Sequence, residues 1–186
     1  MKKFTKYILF ISLGLLCSCS DYLDIVPDNV TTLDIVFNNK NTAQRYLANC
    51  YHFVPDHGSV KRIPGMGAGH ECWFYTDKDS YFDNEVSFYI ARGLQNTNAP
   101  YANYWDGEGG SKLPMFRAIR ECNIFLSYVR DQHKVNDLTD SERKRWIAEV
   151  NVLKAYYHFF LFEHYGPIPI VDEALPVSTS SEGVKV

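Results

Sequence analysis

The chain lacks a positive charge excess, a paired-cysteine framework and a membrane-length N-terminal run, and each absence removes a class of function. Its formal net charge is −3 over 186 residues, which leaves no basic surface able to grip a nucleic-acid backbone. No Cys-x-x-Cys or His-x3-His spacing occurs, so a structural zinc site has no ligand set. Gly65, Gly67 and Gly69 are followed by no Lys-Ser/Thr pair, which argues against a phosphate loop. Asp77, Asp79, Asp83 and Glu85 lack the glycine that a calcium loop requires and read as a solvated acidic loop. Those acids are also sequence neighbours rather than carboxylates opposed across a cleft, as glycoside hydrolysis would need. His158 and His164 stand six apart on one helix, a spacing that does not set both on one face as ligands. Both read as packing residues. No catalytic group and no cofactor is expected.

What is present begins at the N-terminus. Lys2, Lys3 and Lys6 precede an apolar run from Tyr7 to Leu16, and Leu16-Cys17-Ser18-Cys19 follows. The run falls short of the roughly 20 apolar residues that span a bilayer, and the order matches a secretory signal peptide. Leu-x-small-Cys ending at Cys19 is a bacterial lipobox. Cys17 is the rival anchor, but Leu16 would then occupy the cleavage position, where a small residue is wanted. Residues 1–18 are therefore read as a lipoprotein signal, 19–40 as a lipid-anchored tether, and 41–186 as the domain. Cleavage removes three lysines and no acid, taking the mature chain from −3 to −6. Beyond Cys19 it retains Cys50, Cys72 and Cys122, an odd set that makes no disulfide framework. Cys50 and Cys122 fall on apolar helix faces, where a thiol acts as a small hydrophobe.

The domain composition is that of a folded protein, 46% hydrophobic and 22% charged, with 15% aromatics. Ala43, Leu47, Cys50, Tyr51 and Val54 recur at helical steps, predicting a helix over 41–54 that Asn41 caps and Pro55 ends. Residues 56 to 110 scatter Gly, Pro, Asp and Asn among aromatics and predict long loops with short strands or helical turns. A second helix is predicted over 114–130, with Pro114 in its first turn and Met115, Ala118, Ile119, Cys122, Phe125, Leu126 and Val129 as its buried stripe. Asn123 beside that stripe is expected to hydrogen-bond a neighbouring loop.

The third helix opens on a Thr139/Glu142 capping box and runs to about Tyr165. It carries two adjacent apolar stripes, one of Trp146, Val150, Leu153, Tyr157, Phe160 and Leu161, the other of Ala148, Val152, Ala155, Phe159 and Phe162. So wide an arc calls for cover on more than one side. Three helices offer too little surface to cover both stripes, and the chain reads as incomplete at its C-terminus, with apolar surface left exposed. Gly166 is expected to end the helix in the left-handed conformation, and Ile168-Pro169-Ile170-Val171 to run extended.

At these residues the chain resembles the SusD/RagB family of outer-membrane nutrient-binding lipoproteins. Four stretches carry the resemblance: CSDYLDIVP behind the lipobox, NTAQRYLANCYHFVP, NYWDGEGGSKLPMFRAIRECNIFLSYV, and RKRWIAEVNVLKAYYHFFLFEHYGPIPIV. The last is the most specific, since Tyr165-Gly166-Pro167-Ile168-Pro169 supplies the family's Tyr-Gly-x-x-Pro ending. Lys154 stands where arginine is more usual and keeps the charge. The resemblance implies an all-α, tetratricopeptide-like helical array with long aromatic-rich loops forming the ligand face. It implies attachment to the outer membrane, facing the exterior. It also implies a partner, a SusC-like TonB-dependent transporter to which glycans or other nutrients are handed.

Sugar sites pair an aromatic platform with amides or acids, because a sugar offers flat C–H faces ringed by hydroxyls. The candidates are Trp73, Tyr75 and Tyr101 as platforms with Asp77 as polar companion. Phe74, Tyr81, Tyr104, Trp105, Asp79, Asn96 and Asn98 form a wider set. Packing of loops onto helices is the competing role for every aromatic, and it is favoured for Trp105. A non-catalytic scaffold or adhesin working through protein contacts is the alternative function, since Tyr and Trp also favour interfaces.

Overall fold

The computed structural model describes residues 32–59, 63–65, 67–69, 86–98, 100–108 and 111–174. The chain divides into two units, Met1–Thr32 and Leu33–Val186. Of the first only Thr32 is described, so the signal, Cys19 and the start of the tether lie outside the described residues. Among the described residues regular structure is helical: α1 (Leu33–Val36), α2 (Lys40–Tyr51), α3 (Val86–Ala91), α4 (Met115–Arg130) and α5 (Asp140–Tyr165). The protein is all-α.

The described residues include the end of the stretch expected as tether, and it is partly helical. α1 leads into Phe37, which is fully buried and stacks on Tyr128 at 4.5 Å, edge-on to Phe125. The N-cap of α2 is Asn39 rather than Asn41: its side chain accepts from the Thr42 N–H at 3.1 Å. The helix closes at Tyr51, not at Val54. The early start has a tertiary reason: Phe37, anchored on α4, delivers the chain to α2 two residues early. Ala43, Leu47 and Cys50 form the buried stripe as expected.

α4 buries every residue of its predicted stripe, and Asn123 with them. Pro114 stands at the N-cap in extended conformation instead of within the first turn. The first turn is held instead by the loop, through a bond from the Met115 N–H to the Tyr104 carbonyl at 2.9 Å. The Asn123 amide donates to the Val171 carbonyl at 3.0 Å, the loop bond that its position calls for.

α5 has its capping box in full: the Thr139 side chain accepts from the Glu142 N–H and the Glu142 carboxylate from the Thr139 N–H. Its first stripe is the centre of the core. Trp146 reaches Phe125, Tyr157 donates to the Cys50 carbonyl, and Val150, Phe160 and Leu161 are almost fully buried. Contacts along the helices fix their senses. Lys40 meets Glu142 and Cys50 meets Tyr157, so α2 and α5 run the same way. Phe37 meets Tyr128 while Tyr46 meets Glu121, so α4 runs opposite.

The turn between α4 and α5 is built around a buried cation. Arg143 donates to the carbonyls of Val129, Asp131, Lys134 and Val135 at 2.6–3.2 Å. It thereby occupies the Val129 carbonyl that the end of α4 leaves without an intrahelical partner, and binds the carbonyls of the turn that follows. The same turn holds Val135 at φ 52, a backbone region that costs a β-branched residue on the order of 1–3 kcal/mol. Val135 is kept there by full burial, by Arg143 at its carbonyl and by its own N–H on the Phe37 carbonyl.

α5 ends at Gly166, with φ 75 and ψ −138. The positive φ is as expected, but the conformation is not the left-handed helical one. It belongs to a region essentially restricted to glycine, and it swings the chain back along α5. There Ile168 is buried, the Val171 N–H donates to His158 Nε2 at 3.3 Å, and Lys154 donates to the Asp172 carbonyl at 2.8 Å.

Candidate functional site

Among the described residues the aromatic loop surface is carried by residues 89–114. Two devices position it. Gln95 turns its side-chain oxygen to accept from the Tyr101 and Ala102 N–H groups at 2.8 and 3.2 Å. At the other end Tyr165 of α5 accepts from the Tyr104 N–H at 2.8 Å and donates to the Ala102 carbonyl at 3.2 Å. The loop is thus tied to the end of the long helix by one phenol. Burial raises the pKa of the Tyr165 hydroxyl, so it stays protonated and available as a donor.

Tyr104 is core. It is fully buried, edge-on to Phe160 at 5.0 Å and to His164 at 4.7 Å. Tyr101 is half-buried and lies flat on Tyr89, with ring centroids 4.0 Å apart and planes 5° from parallel. Trp105 packs on Phe116 at 4.5 Å and edge-on to Tyr165 at 5.8 Å, yet it is 43% exposed. It therefore has both a packing role and an open surface. Asn103 and Asp106 bracket it: Asn103 accepts from the Trp105 N–H at 3.2 Å and donates to Asp106 at 2.6 Å. Gly107 lets the loop return, since a Cβ there would meet Pro114 at 2.7 Å and its φ is 81.

Asn96 and Asn98 spend polar atoms on the turn between α3 and this loop. The Asn96 side chain accepts from the Asn98 N–H and donates to the Leu94 carbonyl. Trp73, Tyr75 and Asp77 lie outside the described residues, as do Phe74, Asp79 and Tyr81, so of the four principal candidates only Tyr101 has a described position. The Tyr89–Tyr101 stack carried no sequence signal. Two tyrosines twelve apart, one in a six-residue helix, show no periodicity until the loop folds back.

A second surface is apolar. The outer stripe of α5 lies open, with Val152 68%, Phe159 55% and Phe162 55% exposed. Phe159, Phe162, Pro167, Ile168, Ile170 and His158 line a groove of about 370 Å³. Both ring nitrogens of His158 are engaged, Nδ1 with the Lys154 carbonyl and Nε2 with the Val171 N–H. This groove offers little to a sugar hydroxyl. His164 likewise turns Nδ1 to the Phe160 carbonyl, so both histidines have packing roles. Among the described residues no group of three or more His, Cys, Asp or Glu side chains could hold a metal ion, and no helix is long and apolar enough to cross a membrane.

The described residues form a helical scaffold whose aromatic loop is pinned to one helix end. Residues 21–183 match the SusD-like family described as starch-binding associating with outer membrane, and the chain belongs to that family. Among curated proteins none matches.

Proposed function

We propose that this protein is a surface-exposed outer-membrane lipoprotein, anchored through Cys19, that captures glycans or other nutrients and passes them to a SusC-like TonB-dependent transporter. The family match across residues 21–183 carries the reading. Its ligand face is the aromatic loop set: Tyr101 backed by Tyr89, the partly exposed Trp105 of the same loop, and Trp73, Tyr75 and Asp77 of the preceding loop. A tyrosine held flat by a second ring is a stiff platform, because binding has no side-chain freedom left to remove from it. The bracketing amides and acids supply hydroxyl partners. The protein acts by binding and carries no catalytic step.

An array of oligosaccharides probed with the purified protein tests this directly. Saturable binding that falls at least ~10-fold in Tyr101→Ala or Trp73→Ala, with the thermal transition unchanged, is the expected result. No binding to any glycan, alongside co-purification with a transporter, would instead favour a scaffold acting through protein contacts.

A further inference from the structure

The outer face of α5 carries Ala148, Val152, Ala155, Phe159 and Phe162, and all five are exposed. They recur at steps of four, three, four and three. That 3.5-residue average is the spacing with which a helix keeps one seam against a second helix along its length. At 1.5 Å per residue the row is about 21 Å long. Pro167 and Ile170 line one groove with Phe159 and Phe162, which adds apolar surface along its C-terminal half.

The row is ordered by size and by charge. Its alanines lie at positions 148 and 155 and its phenylalanines at the C-terminal end, while exposed Lys144 and Arg145 precede it and exposed Glu163 follows it. Set against an antiparallel copy with Val152 opposite Ala155, the other layers follow from the spacing. Ala148 then faces Phe159 of the copy, and Arg145 faces Phe162 of the copy. Every apolar layer joins a small residue to a larger one, as close packing requires, and the guanidinium meets an aromatic ring. Lys144 and Arg145 arrive at the end of the copy that carries Glu163, and the two helix dipoles oppose. A parallel copy would instead set phenylalanine on phenylalanine, alanine on alanine and Arg145 on Arg145, which leaves gaps beside crowded layers. Surface charge pairs count the other way, since the parallel copy joins Lys144 to Glu149 and the antiparallel one brings Glu149 toward Glu163. Exposed pairs of that kind are worth at most about 1 kcal/mol, so packing decides.

We propose that the outer face of α5 is an interface through which two copies of this chain pair antiparallel, α5 against α5. The match is isologous: each copy offers its small N-terminal half to the large C-terminal half of the other, so the contact closes on itself at two. It is independent of the ligand reading, which concerns the aromatic loop.

The test uses the full chain carrying Ile11→Asp and Leu15→Asp, so that the apolar run Tyr7–Leu16 does not itself associate. Sedimentation velocity without detergent, from submicromolar to high micromolar protein, is expected to show a monomer giving way to a dimer and nothing larger. Ala148→Phe sets two phenylalanines opposite each other and should raise the dimer dissociation constant at least ~10-fold. Adding Phe159→Ala exchanges large for small across the same layer and should bring the constant back toward its starting value. All of these positions are exposed, so an unchanged thermal transition checks that each variant folds. A monomer at every concentration overturns the proposal, as does open-ended aggregation. Failure of the exchange to restore pairing overturns the antiparallel register.

Discussion

Glu142 shows how much one side chain can do at a helix start. Its carboxylate caps Thr139 and also meets the Lys40 ammonium of α2. The lysine bond first, and the two Thr139 bonds after it, hold its pKa at about 2 against an ordinary 4.5. A depressed carboxyl stabilises the fold fully above its unfolded pKa and loses that contribution as pH falls through the folded one. Glu142→Gln should therefore lower Tm at neutral pH, and the gap to wild type should shrink below about pH 4.5 and close near pH 2. A gap independent of pH would mean that the carboxylate charge has no part in it. Lys134 and Asp34, 2.7 Å apart on the surface, make a useful contrast: so open a pair adds little. The Thr139/Glu142 box was legible because its two residues stand only three apart in the chain. Its Lys40 partner, 102 residues away, was not.

Among the elements, α5 is the one whose two faces differ most in what they meet. Phe160 is 1% exposed and Phe159 is 55% exposed, though they are adjacent and chemically identical. Truncating a buried phenylalanine loses its transfer energy and leaves a cavity, about 3–5 kcal/mol together. Phe160→Ala should cost that much in chemical denaturation, whereas Phe159→Ala should change stability by less than about 1 kcal/mol. Equal costs would mean that the outer stripe is covered. Periodicity identified both stripes but could not rank them, because it reports which residues share a face and not which face finds a neighbour. The helix ends show the same division. Gly after Tyr165 marked a stop, yet the departure from the left-handed helical conformation came from the return of Ile168 and Val171 onto α5. Asn39 replaced Asn41 as a cap because of Phe37, an anchor that no local pattern flags.

For the whole molecule, the open stripe of Val152, Phe159 and Phe162 with the adjoining groove is the dominant surface feature among the described residues. Contiguous exposed apolar area promotes association. The double substitution Phe159→Ser/Phe162→Ser should reduce self-association and hydrophobic-dye binding of the purified chain while leaving Tm within a few degrees of wild type. An unchanged association state would place the sticky surface elsewhere. The all-α class, the inner stripes of α2, α4 and α5, and the capping box follow from the sequence alone, since helical hydrogen bonds and 3.6-residue periodicity are local. Tertiary structure alone decided the Tyr157 bond to the Cys50 carbonyl, the four-carbonyl seat of Arg143 and the flat Tyr89–Tyr101 stack. Each joins groups beyond the reach of helical periodicity, and their meeting depends on how helices pack and how turns and loops fold back rather than on which residues are neighbours in sequence.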